Sequence, residues 1–145
     1  MKSEKSLIYR VGAGKAMGLV IGLIAFFVLP ILVQEPSMLL RTGVFLWYPT
    51  LGAIIGMFGV FSYHPVLNFP MPWWLRGALI GGWMNFVLTL FAYDQISTVV
   101  LAMFGEYSQQ ISPFIMVIEG AVVGMVMDYF LTRWFGEGWS DKSNN

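Results

Sequence analysis

The best clue to the chemistry of this chain is three carboxylates, Asp94, Glu119 and Asp128, which fall in or at the ends of apolar stretches. At mid-depth in a bilayer an acid costs about 2.5 to 3.5 kcal/mol on insertion scales, so each needs a partner, a proton or a task. Glu119 and Asp128 lie nine residues apart. At about 100° per residue they project from opposite faces of one helix and cannot form a carboxylate pair within a chain. They belong to two sites. Asp128 precedes Arg133 and shares a level with Lys15 and Arg76, and an ion pair with either base, with His64 nearby, would hold helices in register. Glu119 follows Pro113 and shares a level with Asp94, Glu35 and Arg41. One base against three acids favours uptake of a proton or cation, the alternative being a structural acid hydrogen-bonded to Asn85 or Thr89.

Asn85 stands in the middle of its apolar stretch. An amide there is expected to bond across helices, worth about 0.6 to 2 kcal/mol. Other chemistries lack their atoms. There is no cysteine, which removes thiolate metal sites, iron–sulfur clusters and thiol redox relays. The single histidine, His64, cannot give a haem two imidazole ligands from one chain. A formal net charge of zero provides no basic patch for nucleic acid. No catalytic, metal-binding or cofactor-binding constellation emerges, and the chain is expected not to be an enzyme.

Helices in a membrane must position these side chains. Hydrophobic residues make up 57% of the chain and aromatic residues 17%, with a mean hydropathy of +0.70, far from a soluble domain. Stretches 16–34, 42–75 and 77–93 contain no Lys, Arg, Asp or Glu, and a hydrocarbon core of about 30 Å needs about 20 helical residues. The expected fold is all-α and polytopic, a single domain over 1–145 with four transmembrane helices over about 11–33, 43–62, 76–94 and 113–134 packed as a four-helix bundle. The first apolar run is longer than a signal h-region and lacks an A-x-A-like cleavage site, so it is read as a retained span.

Four spans put both termini on one side. With the N-terminus inside, Lys2, Lys5, Arg10, Lys15, Arg76, Arg133 and Lys142 are cytoplasmic and only Arg41 is outside, a strong positive-inside bias. A bacterial cytoplasmic membrane is the expected location. After Tyr93, residues Ile96, Val99, Val100, Met103 and Tyr107 recur at helical spacing. They predict either an extended third helix or, preferred here, an interfacial amphipathic helix over 95–107 on the outer surface. The inner connection 63–74 holds three prolines and a run of aromatic residues. It cannot form a regular helix, and His64, Trp73 and Trp74 suit a headgroup anchor or a surface for a partner protein.

Gly52-Ala53-Ile54-Ile55-Gly56-Met57 reappears as Gly120-Ala121-Val122-Val123-Gly124-Met125, and Arg10-Val11-Gly12-Ala13 is echoed by Arg76-Gly77-Ala78. Both hairpins would start inside, which makes a parallel two-plus-two repeat. Glycines four apart recur in every span: Gly14, Gly18 and Gly22, then Gly52 and Gly56, Gly77 and Gly81, Gly120 and Gly124. Such faces let backbones approach where lipid supplies no hydrophobic drive. Packing within the chain accounts for most of these stripes, but four short helices hardly need so many, so assembly with copies of itself or with other membrane proteins is also expected. The preferred function is a scaffold or accessory subunit in the bilayer. The alternative is a small oligomeric transporter or channel using the buried carboxylates for protons or cations.

Overall fold

The computed structural model describes residues 2–64 and 66–136, with side chains from residue 7 onward. Lys142, Pro65 and the side chains of Lys2 and Lys5, used above, lie outside these described residues. The chain is all-α: α1 (Lys2–Leu32), α2 (Met38–Phe58), α3 (Trp73–Phe91), α4 (Tyr93–Phe104), a 3-10 turn (Gly105–Gln110) and α5 (Ile115–Phe135). Among the described residues there is no strand, only an isolated antiparallel bridge between Tyr63 and Pro70. From Leu7 onward α1 is long and apolar enough to cross a membrane, as are α2 and α5, and α3 joins them when counted with the helical segment after it. These helices mark a membrane protein.

The two polar breaks shape the end of the molecule opposite the termini. An extended third helix does not form: the chain turns by 107° between α3 and the following segment, at Ala92 with φ −121° and ψ 35°. The turn places Asp94 in the first turn of α4, where a carboxylate is favoured by the helix dipole. The periodic stripe seen in the sequence is used there, since Ile96 and Val100 are buried and Met103 borders a cleft between the helices. Beyond Phe104 the α-helix gives way to the 3-10 turn, where Tyr107 is exposed.

The second break explains Arg41. Pro30 lies inside α1 and lacks the N–H that would bond the Phe26 carbonyl one turn earlier. Arg41 Nε donates to that carbonyl at 3.2 Å, and the guanidinium carbon lies 4.1 Å from the Phe26 ring centre, a cation–π distance. Ser37 caps the incoming α2 by accepting from Leu40 N at 3.1 Å.

Glycine decides how the long helices pair. A β-carbon added at Gly52 or Gly14 would overlap the backbone of the other, and the same holds for Gly81 against Gly120 and for Gly124 against Gly77. Thus α1 crosses α2 at Gly14 and Gly52, and α3 crosses α5 at Gly81 and Gly120, both antiparallel and backbone to backbone. The glycine stripes are used for packing inside the molecule, as their spacing first suggests. Between the two pairs lies a small core of Leu51, Ile55, Met127 and Leu131, joined by Met17, Tyr48 and Met84.

Candidate functional site

Two polar clusters lie between the helices, one toward each end, that at Asp128 buried and that at Glu119 partly buried. The cluster on the α4 side is built around Glu119. Along α3, Gly77, Gly81 and Asn85 follow at intervals of four and therefore share a face. The two glycines seat α3 against α5, and Asn85 continues the face over Gly120, where an added β-carbon would lie 2.6 Å from the Asn85 Cβ. The amide is then fixed from three directions. Its Nδ2 donates to Met116 O at 2.7 Å and to Glu119 Oε2 at 2.6 Å, and its Oδ1 accepts from Trp47 Nε1 at 3.0 Å. An indole nitrogen only donates, so this contact sets which end of the amide faces α2. Tyr48 completes the cluster by donating its hydroxyl to Glu119 Oε1 at 3.0 Å.

Glu119 therefore holds two hydrogen bonds from neutral donors and has lone pairs to spare. It lies, with Asn85, Trp47 and Tyr48, in the wall of a cleft of about 250 Å³ whose remaining lining is largely apolar and comes from α1, α2, α3, α4 and α5. Thr89 is fully buried but bonds the Asn85 carbonyl at 2.8 Å and not the acid. Removing the amide strips a partner from an indole, a carboxylate and a carbonyl at once. Asn85→Ala is expected to lower stability by about 1–2 kcal/mol, read from the thermal midpoint in nanodiscs. An unchanged midpoint would show that these three bonds contribute nothing.

At the termini end, Asp128 joins three helices. Arg76 meets it as a fork, Nε to Oδ2 at 2.7 Å and Nη2 to Oδ1 at 3.0 Å, the bidentate geometry that guanidinium favours. Arg10 adds Nη2 to Oδ1 at 2.8 Å, and Thr132, one turn along α5, donates to Oδ1 at 3.3 Å. All three charged side chains are buried. Each arginine also reaches backbone: Arg76 Nη1 bonds Phe61 O at 3.1 Å and Met71 O at 3.4 Å, and Arg10 Nη1 bonds Gly136 O. The cluster thus ties α1, α3 and α5 to the 59–72 connection.

Several sequence-based assignments move. Lys15 is exposed and Arg10 stands where it was expected, because α1 turns its glycine face to α2 and α5 and Lys15 lies off that face. Arg41 is engaged by Phe26 as described and pairs with no acid among the described residues. Asp94 is exposed and does not line the Glu119 cleft. His64 does not bond Asp128. Its Nδ1 accepts from Val66 N and Leu67 N at 3.2 and 3.1 Å, and its ring stacks on Phe69 at 5.3 Å. An imidazole accepting at Nδ1 carries its neutral-form proton on Nε2. Trp73 and Trp74 belong to the first turn of α3 rather than to a loop; Trp73 packs edge-on against Tyr129 at 5.1 Å, and Trp74 stays half exposed.

Arg10, Trp47 and Tyr48 escaped the sequence reading, although a signal for two of them was present. Arg10 lies four residues before Gly14 and Tyr48 four before Gly52, while Asn85 lies four after Gly81 and Asp128 four after Gly124. Each glycine stripe, extended by one turn, ends on a polar side chain of one of the two clusters. Trp47 lies beside the stripe and carries no such mark. No protein-family description, curated protein or solved structure matches this chain.

Proposed function

We propose that this chain is a non-enzymatic, four-span protein of a bacterial cytoplasmic membrane that takes up a proton or monovalent cation at Glu119 from the outer side and works as an oligomer. One observation carries the reading: the Glu119 carboxylate, held by Tyr48 and Asn85, lines a cleft that is otherwise largely apolar. A carboxylate used only to bind helices together needs no cleft beside it. The cluster at Asp128, with its two arginine partners, is a structural lock by contrast.

The orientation rests on charge. Arg10, Lys15, Arg76 and Arg133 gather toward the termini end and Arg41 alone lies near the other, which favours the termini inside. The turn at Ala92 supports α4 lying along the outer surface. The shared crossing geometry of Gly14 on Gly52 and Gly81 on Gly120 supports a parallel two-plus-two repeat. Four helices enclose little path of their own, so passage across the membrane calls for association of several copies.

In proteoliposomes, Glu119→Gln is expected to abolish proton or cation flux while leaving oligomeric mass and thermal midpoint unchanged. Flux retained in that variant sinks the reading. The accessory-subunit reading keeps one observation of its own: Tyr63, Val66 and Leu67 of the 59–72 connection and Trp74 beside it are exposed by 50% or more. A native protein with no flux that co-purifies stoichiometrically with a foreign membrane subunit would establish that function instead.

A further inference from the structure

The walls of the Glu119 cleft restrict what kind of cation fits there. A hard inorganic cation seeks about six oxygen ligands. Here the Asn85 oxygen is engaged by Trp47 and the Met116 carbonyl by Asn85, so the oxygen donors with capacity to spare are few: the Glu119 carboxylate, the Tyr48 hydroxyl and the Gln95 amide. Among the described residues no group of three or more metal-ligating side chains exists. Apart from Gln95 the rest of the lining is apolar or aromatic, including Val28 and Leu32 of α1, Val99 and Met103 of α4, and the rings of Trp47 and Tyr48. A small charged ion would lose its hydration against such walls and gain fewer ligands than it seeks.

An organic cation has the opposite needs. Its charge is spread and shielded by carbon, so it requires no oxygen shell; one carboxylate and aromatic faces satisfy it, and its apolar groups gain from leaving water. We infer that the ligand of this cleft is a lipophilic organic monocation, a quaternary ammonium or protonated amine bearing alkyl or aryl groups, with its charge toward Glu119 and its apolar part between α1 and α4. The inference rests on the reading of Glu119 as a cation site and adds the class of ligand. At about 250 Å³ the cleft suits a compact molecule, below the usual range of drug-sized pockets.

The test uses benzyltrimethylammonium, radiolabelled, dialysed to equilibrium against the native protein in nanodiscs, with empty nanodiscs correcting for partition into lipid. One saturable site per chain is expected, undisturbed by excess sodium. Glu119→Gln is expected to weaken binding by about tenfold or more, whereas Glu119→Asp, which keeps the charge, retains a saturable site. The thermal midpoint of each variant shows that it is folded. Absence of saturable binding to the native protein, or equal affinity in Glu119→Gln, overturns the inference. Glu119-dependent proton flux without probe binding overturns the organic ligand and leaves the proton reading standing. Probe binding and flux that are both indifferent to Glu119 remove the two together.

Discussion

Asp128→Ala is expected to destabilise the protein by about 3–5 kcal/mol, the largest effect of any single side-chain removal here, because it leaves two buried guanidinium groups without their shared counter-charge. Arg10 and Arg76 cannot simply swing into water. Both are buried, and the Nη1 atom of each is fixed on backbone carbonyls, those of Phe61 and Met71 for Arg76 and that of Gly136 for Arg10. Reversible unfolding in mixed micelles, or the thermal midpoint in nanodiscs, would read the loss. The converse experiment separates charge from packing. Replacing Arg10, Arg76 and Asp128 together by Met, Leu and Leu removes every ion at once, and such triads are often replaced at little cost or with a gain. The triple variant is therefore expected to recover most of the stability that Asp128→Ala loses. An Asp128→Ala protein that melts with the native one would refute the structural lock.

Gly81→Val should be the most damaging change at a site that carries no chemistry. Even a β-carbon at Gly81 overlaps the Gly120 carbonyl, and the overlap is with backbone, which has no rotamer to yield. Overpacking costs about 1–3 kcal/mol in well-packed cores and more where the neighbour cannot move; we expect about 3 kcal/mol or more here. The damage should spread in a particular direction. Asn85 lies one turn beyond Gly81 and Arg76 just over one turn before it, so prying α3 from α5 separates Asn85 from Glu119 and Arg76 from Asp128 together. Gly12→Ala is the control: a β-carbon there meets nothing within 4 Å, and the substitution is expected to be neutral or to gain up to about 1 kcal/mol from helix propensity. Equal stability of Gly81→Val and Gly12→Ala would show that the close crossing is not needed.

These two predictions draw on features the sequence exposes unequally. The all-α character follows directly from charge-free stretches, since a helix must satisfy its own backbone in lipid. The direction in which each helix faces does not. In a soluble helix the apolar face reveals the core, but lipid and protein interior are equally apolar, so Leu, Ile and Phe carry no such signal here. Glycine spacing is what remains. It marked the contact faces correctly, yet it could not tell contact within the chain from contact between chains, because only distance in three dimensions separates them.

The polar residues were readable to the same degree. That Asp128 needs a base, and that Arg76 lies at its level, followed from counting turns. Choosing between Lys15 and Arg10 required the rotation of α1 about its axis, which counting turns does not give. Asn85 was identifiable as a polar residue in an apolar span, whereas Tyr48 and Trp47 resemble any aromatic residue in a membrane helix until a hydrogen-bond partner is placed opposite them. Asp94 was misplaced for a related reason. A carboxylate at a span's end satisfies the sequence equally well whether the helix continues or turns, and the turn at Ala92 carries it out of the Glu119 site.

The convergence of Arg10, Arg76 and Asp128 also fixes an order of events during biosynthesis. The ribosome delivers the two arginines first and the acid that neutralises them only with the last helix. Until α5 enters the bilayer, Arg10 and Arg76 lack the carboxylate that they share in the folded protein. Arrival of α5 brings Asp128, Gly120 and Gly124 together, closing the ion cluster and the α3 crossing in one step. A chain halted before residue 128 would lack the acid that both arginines share.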